Sequence, residues 1–488
     1  MKQVSRRNFL KLAGLGLLAS GCTPIIDTGL AMNQTTLSAT ALTPASSSMI
    51  HLLNRATFGA TSSLANDIQI VGMDAWLNQQ FDYTAIDDWE TQLRLQRFDT
   101  LPMTSDDLLS FISLHDRTSV ANQLAAAMVL RAVHSKRQLY EKMVHFWSDH
   151  FNIHYFKGRT STLQTVDDRT VSRPYALGNF GDMLVASAHS PAMLIYLDNV
   201  SNERSHPNEN YAREIMELHT LGVAGDYTES DVVEVARCFT GWSVADITGK
   251  FEFRPEWHDD GEKVVLGHVI AAGGGKSDGD RVLDILIDHP NTARYLSSKL
   301  LQRFVEDAPS ETVINDISRV WIQSRGHIET VMRAIFAHDA FWQAPRKFKR
   351  PLEYAISALR SLNASYDGSF DLVERLETMG QRPFGYPTPD GYPDVADEWV
   401  GSFVPRWNFA QAIAQGQQAG VSIPIQQWQN IARSSNQMGL ARAILQRDAN
   451  DAEAQALTSV LSSDDTLNQN TVRNLLAILL SSPAFQWR

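Results

Sequence analysis

The chain has 488 residues, 43% of them hydrophobic and 20% charged. That length and apolar content suffice for one large core or two intimate ones and exclude an intrinsically disordered chain. A formal net charge of −12 excludes the broad basic face that general nucleic-acid binding needs, so no nucleic-acid partner is expected.

Residues 1–22 read as an export signal. Ser5-Arg6-Arg7-Asn8-Phe9-Leu10-Lys11 is a twin-arginine motif, and the apolar run after it, 12–18, is shorter than the ~20 residues that span a bilayer. Ala19-Ser20-Gly21-Cys22 resembles a lipobox, which makes Cys22 the lipidation residue. Ala19 stands where a larger aliphatic residue is usual, so simple cleavage and release stays open. The pattern predicts export by the twin-arginine route to the periplasm or cell envelope, with membrane attachment through a lipid anchor only. A lipidated Cys22 leaves Cys238 without a disulfide partner in the chain, and its helical, apolar setting reads as a small core residue. Residues 23–47, rich in Thr, Ser, Ala and Pro, read as a flexible tether.

From residue 48 to 488 apolar residues recur at helical spacing, interrupted by Gly, Pro and Asn. The predicted fold is mainly α: a single large multi-helical globular domain with a small β-hairpin insertion near 251–268. In that insertion Phe251 and Phe253 alternate, Asp260-Gly261 offers a two-residue turn, and Val264-Val265-Leu266 follows. A glycine-rich loop, 271–280, comes next. Its Gly275-Lys276-Ser277 is no phosphate-binding loop, because Ile270 occupies the position of the required first glycine.

Three segments could carry chemistry. A helix over 137–152 places Leu139, Met143, Phe146, Trp147, His150 and Phe151 on one face, and Glu141, Lys142, His145, Asp149 and Asn152 on the other. His150 thus points inward, as a satisfied core histidine or as a base or metal ligand, while His145 and Asp149 read as a solvated surface pair. A second helix, 208–219, aligns Asn210, Arg213, Glu214 and Glu217 in one stripe, either a solvent face or the wall of a polar cleft. If that helix is regular, His219 lies nearly opposite Glu217. Thr228 and Asp231 form a capping-box start to the following helix. The turn at His258-Asp259-Asp260 crowds donors that could hold a cation, although such turns are usually only turns. His289-Pro290 reads as a helix start. Finally, the aromatic, proline-rich stretch 382–394, with Tyr386 and Tyr392, either caps the helical core or forms the lip of a pocket that stacks on a ligand such as a sugar ring. No HExxH, paired CxxC, GxSxG or di-iron ExxH pattern occurs.

These segments together resemble a bacterial exported family catalogued as domain of unknown function 1800. The resemblance rests on His51-Leu52-Leu53-Asn54-Arg55-Ala56-Thr57-Phe58-Gly59, Phe146-Trp147-Ser148-Asp149-His150-Phe151, residues 208–223, Thr240-Gly241-Trp242, His258-Asp259-Asp260-Gly261-Glu262-Lys263, Pro389-Asp390-Gly391-Tyr392-Pro393-Asp394 and Arg406-Trp407-Asn408-Phe409-Ala410. It implies a helical exported protein, with genes that often neighbour an exported sulfatase-like family, and it brings no established reaction. The resulting expectation is a cell-envelope enzyme, metal-assisted and hydrolytic, with a polar cleft between the His150 helix and the Glu214/Glu217 helix. His150, Glu214, Glu217 and Arg213 would be catalytic, and Trp147, Asn210, Tyr386 and Tyr392 would bind substrate. A divalent metal would draw on His150, Glu217, His258 and Asp259. The competing expectation is a non-catalytic envelope protein that binds an exported partner or polymer, with the same polar residues fixing helix packing.

Overall fold

The computed structural model describes residues 46–461 and 467–488; the expected signal with Cys22 and the expected tether up to residue 45 lie outside them. Helices dominate, as the apolar spacing requires, and the strands are short antiparallel pairs. The elements that position the site are α1 (Ser47–Ala56), α2 (Arg117–His134), α3 (Gln138–His150) and α4 (Glu209–Glu214). They continue with α5 (Glu229–Cys238), α6 (Ser277–Asp288), α7 (Pro290–Phe304) and α8 (Pro351–Ser361). Local chemistry starts them where the sequence indicates. Thr228 and Asp231 cap α5 reciprocally, and His289 caps α7 ahead of Pro290.

The strand region departs from the single expected hairpin. Phe251–Phe253 pairs with the preceding Trp242–Val244, while Lys263–Val265 pairs with His268–Ile270. The second pair turns at Leu266-Gly267, where both residues have positive φ (49° and 78°), the geometry of a tight two-residue hairpin that glycine permits. Asp260-Gly261 serves neither hairpin. The glycine-rich segment leads directly into α6, four residues before the helical spacing becomes obvious, and Gly279 there lies against Trp242 with no room for a Cβ.

Two apolar cores result. One collects α3, α5, α6 and α7 around Trp147, Phe180, Phe239 and Leu300; the other collects α2, α8 and the C-terminal helices around Leu130, Tyr354, Phe409 and Trp428. Cys238 is buried in the first, and burial pushes its thiol up to about 12.

Helix α3 joins the two cores, and this corrects the expected solvent face. Leu139, Met143, Phe146 and Trp147 enter the first core as the periodicity predicts, but Lys142 and His145, on the opposite face, are 0% and 2% exposed. They meet the charged start of α8. Lys142 Nζ lies 3.0 Å from Glu353 Oε1, and Arg303 Nη2 and Arg350 Nη2 both donate to His145 Nδ1, at 3.0 and 3.1 Å. Arg350 also pairs with Asp149 at 2.8 Å, Arg303 with Asp394 at 2.6 Å, and Arg488 with Glu353 at 3.0 Å. His145 and Asp149 are thus joined through arginine rather than as a surface pair. Burial and the adjacent Arg350 and Arg303 hold His145 well below its usual range, so it is the neutral acceptor in this arrangement.

Glu353 is the hub. Burial alone would raise its pKa, but Arg488, Lys142, Arg303 and Arg350 outweigh that and hold it well below the usual carboxylate range. Removing one partner of a buried ion pair costs about 3–5 kcal/mol, because the remaining charges stay buried without compensation. Glu353→Gln should therefore lower unfolding free energy by about that amount in chemical denaturation. A loss well under 1 kcal/mol would show that the two cores hold together without this hub.

Candidate functional site

His150 ends α3 in an aromatic box. It is 1% exposed, with its ring centroid 4.7 Å from Phe151 and 5.5 Å from Trp147. Its Nε2 lies 3.1 Å from the His219 carbonyl and donates to it, while Nδ1 has no partner among the described residues. Burial, reinforced by Lys299 and His219, holds His150 well below the usual imidazole range. His219 is equally buried, 5.9 Å from the His150 ring, with Nε2 unpartnered among the described residues. Burial and the nearby Lys299 push the His219 imidazole down to about 3. The pair is a neutral, weakly basic element of the core.

The contact with His219 arises from a break in helix regularity. The chain is α-helical through Glu214 and then widens into a π-type segment, Ile215–Thr220. Thr220 Oγ1 donates to the Ile215 carbonyl at 2.6 Å, taking up an acceptor in the widened turn. Wide turns of this kind are rare and often sit at functional positions. Here the segment buries His219 towards His150 and leaves Glu217 partly exposed. His150 and the carboxylates thus approach the same turn from opposite sides and share no direct contact.

On the outer side Arg213 serves three carboxylates: Glu229 at 2.7 Å, Glu209 at 3.3 Å and Glu217 at 3.4 Å. Such partly exposed pairs contribute about 0.2–1 kcal/mol each. Glu214 is different. Burial, Glu217 and Asp390 together raise its pKa, so its proton is held more tightly than that of an ordinary glutamic acid. Asp390 belongs to the 382–394 segment, which is anchored at several points. Asn152 Nδ2 donates to the carbonyls of Tyr386 (3.0 Å) and Thr388 (2.7 Å), and Tyr196 OH donates to that of Pro387 (2.9 Å). Gly391, at φ 73°, lies so close to the Asp149 carbonyl that a Cβ would sit 2.0 Å from its oxygen.

The other sequence-derived site residues are placed as follows. Trp147 is fully buried with Nε1 donating to the Ala176 carbonyl, so it belongs to the core and not to a pocket wall. Asn210 Nδ2 holds the Leu197 carbonyl at 3.0 Å. Tyr392 is 9% exposed and donates to the Arg382 carbonyl, whereas Tyr386 stands half-buried at the edge, its ring 4.8 Å from that of Tyr392.

The proposed metal donors do not assemble. His258 is buried with Nδ1 2.8 Å from the Thr240 carbonyl and Nε2 3.1 Å from Asp278, so neither ring nitrogen is left for a metal. Asp259 is held by Arg237 Nε at 2.7 Å, and Glu217 by Arg213. Among the described residues no group of three or more His, Cys, Asp or Glu is arranged to hold a metal ion.

The family model described as "Protein of unknown function (DUF1800)" matches residues 51–487. The chain belongs to this family. No curated protein and no solved structure matches it. Membership in the family thus accounts for nearly the whole chain, including the motif residues around His150, Glu214 and Asp394.

Sequence reasoning missed the ion network. Its one visible signal was charge, Lys142, His145 and Asp149, on the back of a helix that also carries a strong apolar face. The run Arg350-Pro351-Leu352-Glu353 reads equally well as an ordinary helix start.

The histidine pair sets a pH dependence. The folded state refuses a proton that an unfolded histidine accepts near its ordinary pKa of 6.5, so stability is present above pH 6.5 and is lost as pH falls towards about 3. At one pH unit below 6.5 the loss from His219 is about 1.4 kcal/mol. Thermal unfolding at pH 7.5 and 5.5 should show a smaller acid loss in His219→Phe than in the unmodified protein. Equal losses would place the acid sensitivity elsewhere.

Proposed function

We propose that this DUF1800 protein is exported to the cell envelope and acts by binding a partner or polymer on the surface formed by α4 and the 382–394 segment. One observation carries the choice of binding over metal-assisted hydrolysis: the residues suited to catalysis are taken up within the fold. His150 is buried among aromatic rings with its Nε2 on the His219 carbonyl, and Arg213 is held by three carboxylates. Tyr386, Pro387 and Asp390, by contrast, stand partly or fully exposed on a backbone pinned by Asn152 and Tyr196. A fixed, aromatic, solvent-facing edge loses little entropy on binding, which favours recognition. The partner proposed is an exported sulfatase-like protein of the kind encoded beside members of this family.

A second reading rests on Glu214. A half-buried carboxyl whose proton is held more tightly than usual, by burial and by two nearby carboxylates, suits a general acid, and it needs no metal. The two readings separate under substitution. Tyr386→Ala should weaken calorimetric binding of the sulfatase-like partner about tenfold or more while leaving the melting temperature nearly unchanged. Glu214→Gln should leave that binding intact. Turnover of an envelope polysaccharide that Glu214→Gln abolishes would decide for catalysis. Export has its own check: replacing Arg6 and Arg7 by lysine should retain the precursor in the cytoplasm, and unchanged export would remove the envelope assignment.

A further inference from the structure

A second region, remote in sequence from the carboxylate stripe, has the opposite charge. A cavity of about 460 Å³ opens between α1, the 342–349 segment, the turn at 444–447 and the C-terminal segment 484–488. Its volume lies within the ~300–1,000 Å³ of small-molecule pockets. Its lining includes Arg346, Lys349, Arg447 and Arg488, and no aspartate or glutamate.

Lys349 distinguishes the cavity. It is 6% exposed, and its ammonium lies 3.7 Å from the centroid of the Phe485 ring. Among the described residues that ammonium makes no direct ion pair and no hydrogen bond, and Glu353 acts on it only at longer range. Several other buried cations nearby have a carboxylate: Lys142 has Glu353, Arg303 has Asp394, Arg350 has Asp149 and Lys347 has Asp307. Arg447 has Glu453 and Arg488 has Glu353. An aromatic face offsets only part of the cost of burying an ammonium. Burial pushes Lys349 down to about 7, with Glu353 opposing and Arg488 and Arg406 adding to the shift. Arg55, next in sequence to the lining residue Asn54, is fully buried, with Nε and Nη1 unpartnered among the described residues, and adds to the positive potential.

We propose that this cavity binds a small molecule carrying a carboxylate or phosphate, with the oxyanion on Lys349 and the apolar part of the ligand against Ile444 and Phe485. The oxyanion supplies the partner that the fold withholds from Lys349. Arg346 and Arg447 at the lining draw the same charge in from solvent.

The test uses the purified full chain with two probes, inorganic phosphate and succinate, each titrated calorimetrically at constant ionic strength. The expected result is saturable one-site binding of at least one probe at millimolar concentration. Binding should be retained in Lys349→Arg and weakened about tenfold or more in Lys349→Met, which keeps the side chain's bulk and removes its charge. Which probe binds distinguishes a phosphate from a carboxylate ligand. A wild-type measurement stands independently of whether Lys349→Met folds: the bound probe should slow acetylation of Lys349, read by mass spectrometry of its peptide. The proposal is overturned if neither probe binds saturably, if Lys349→Met folds and binds as tightly as the unmodified protein, or if Lys349 acetylates equally fast with and without the probe.

Discussion

The structure depends on a single buried carboxylate. Glu353 takes Lys142 from α3, Arg303 from the end of α7 and Arg488 from the C-terminal segment, and so draws helices of both cores onto one point. Apolar burial explains why each core forms, but it is non-directional and does not specify how two cores meet. Charges removed from water do, because every cation in the network must face an anion or pay a desolvation penalty of several kcal/mol. The aromatic segment is drawn into the same arrangement: Asp394 at its end accepts from Arg303, and Gly391 lies against the carbonyl of Asp149.

This arrangement reassigns the polar residues of α3. A histidine and an aspartate four residues apart look like catalytic or surface groups, yet His145 is a neutral acceptor for two arginines and Asp149 a counter-ion to one of them. His150, on the other face, secures a carbonyl of the widened turn at 215–220. The chemistry left facing solvent lies elsewhere, on α4 and the pinned aromatic edge. The cationic cavity lined by Lys349 offers a second surface of contrasting charge.

Much of the fold was legible in the sequence because its determinants are local. Helical apolar spacing, the Thr228/Asp231 cap, the proline after His289 and the rigid 382–394 stretch each act over a few residues, and each appears where expected. The strand pairing was less legible. Asp260-Gly261 is a good turn sequence, but Leu266-Gly267 closes the hairpin, since a turn needs flanking strands that can pair and Lys263–Val265 pairs forward with His268–Ile270. In the candidate site, the stripe of Arg213, Glu214 and Glu217 followed from helix geometry. The proximity of Asp390 to Glu214, from a segment far along the chain, did not.

By itself the sequence determined the helical class, the element boundaries set by caps and prolines, and the family to which the chain belongs. Only the tertiary structure decided which charges face water. A helix that carries polar residues on one side looks the same in sequence whether that side meets solvent or a second core. The partners that make burial tolerable for Lys142 and His145, Glu353 and Arg350, lie some two hundred residues away, and no local pattern encodes them. The same reason hid Lys349, whose distinction is the acceptor that its surroundings lack.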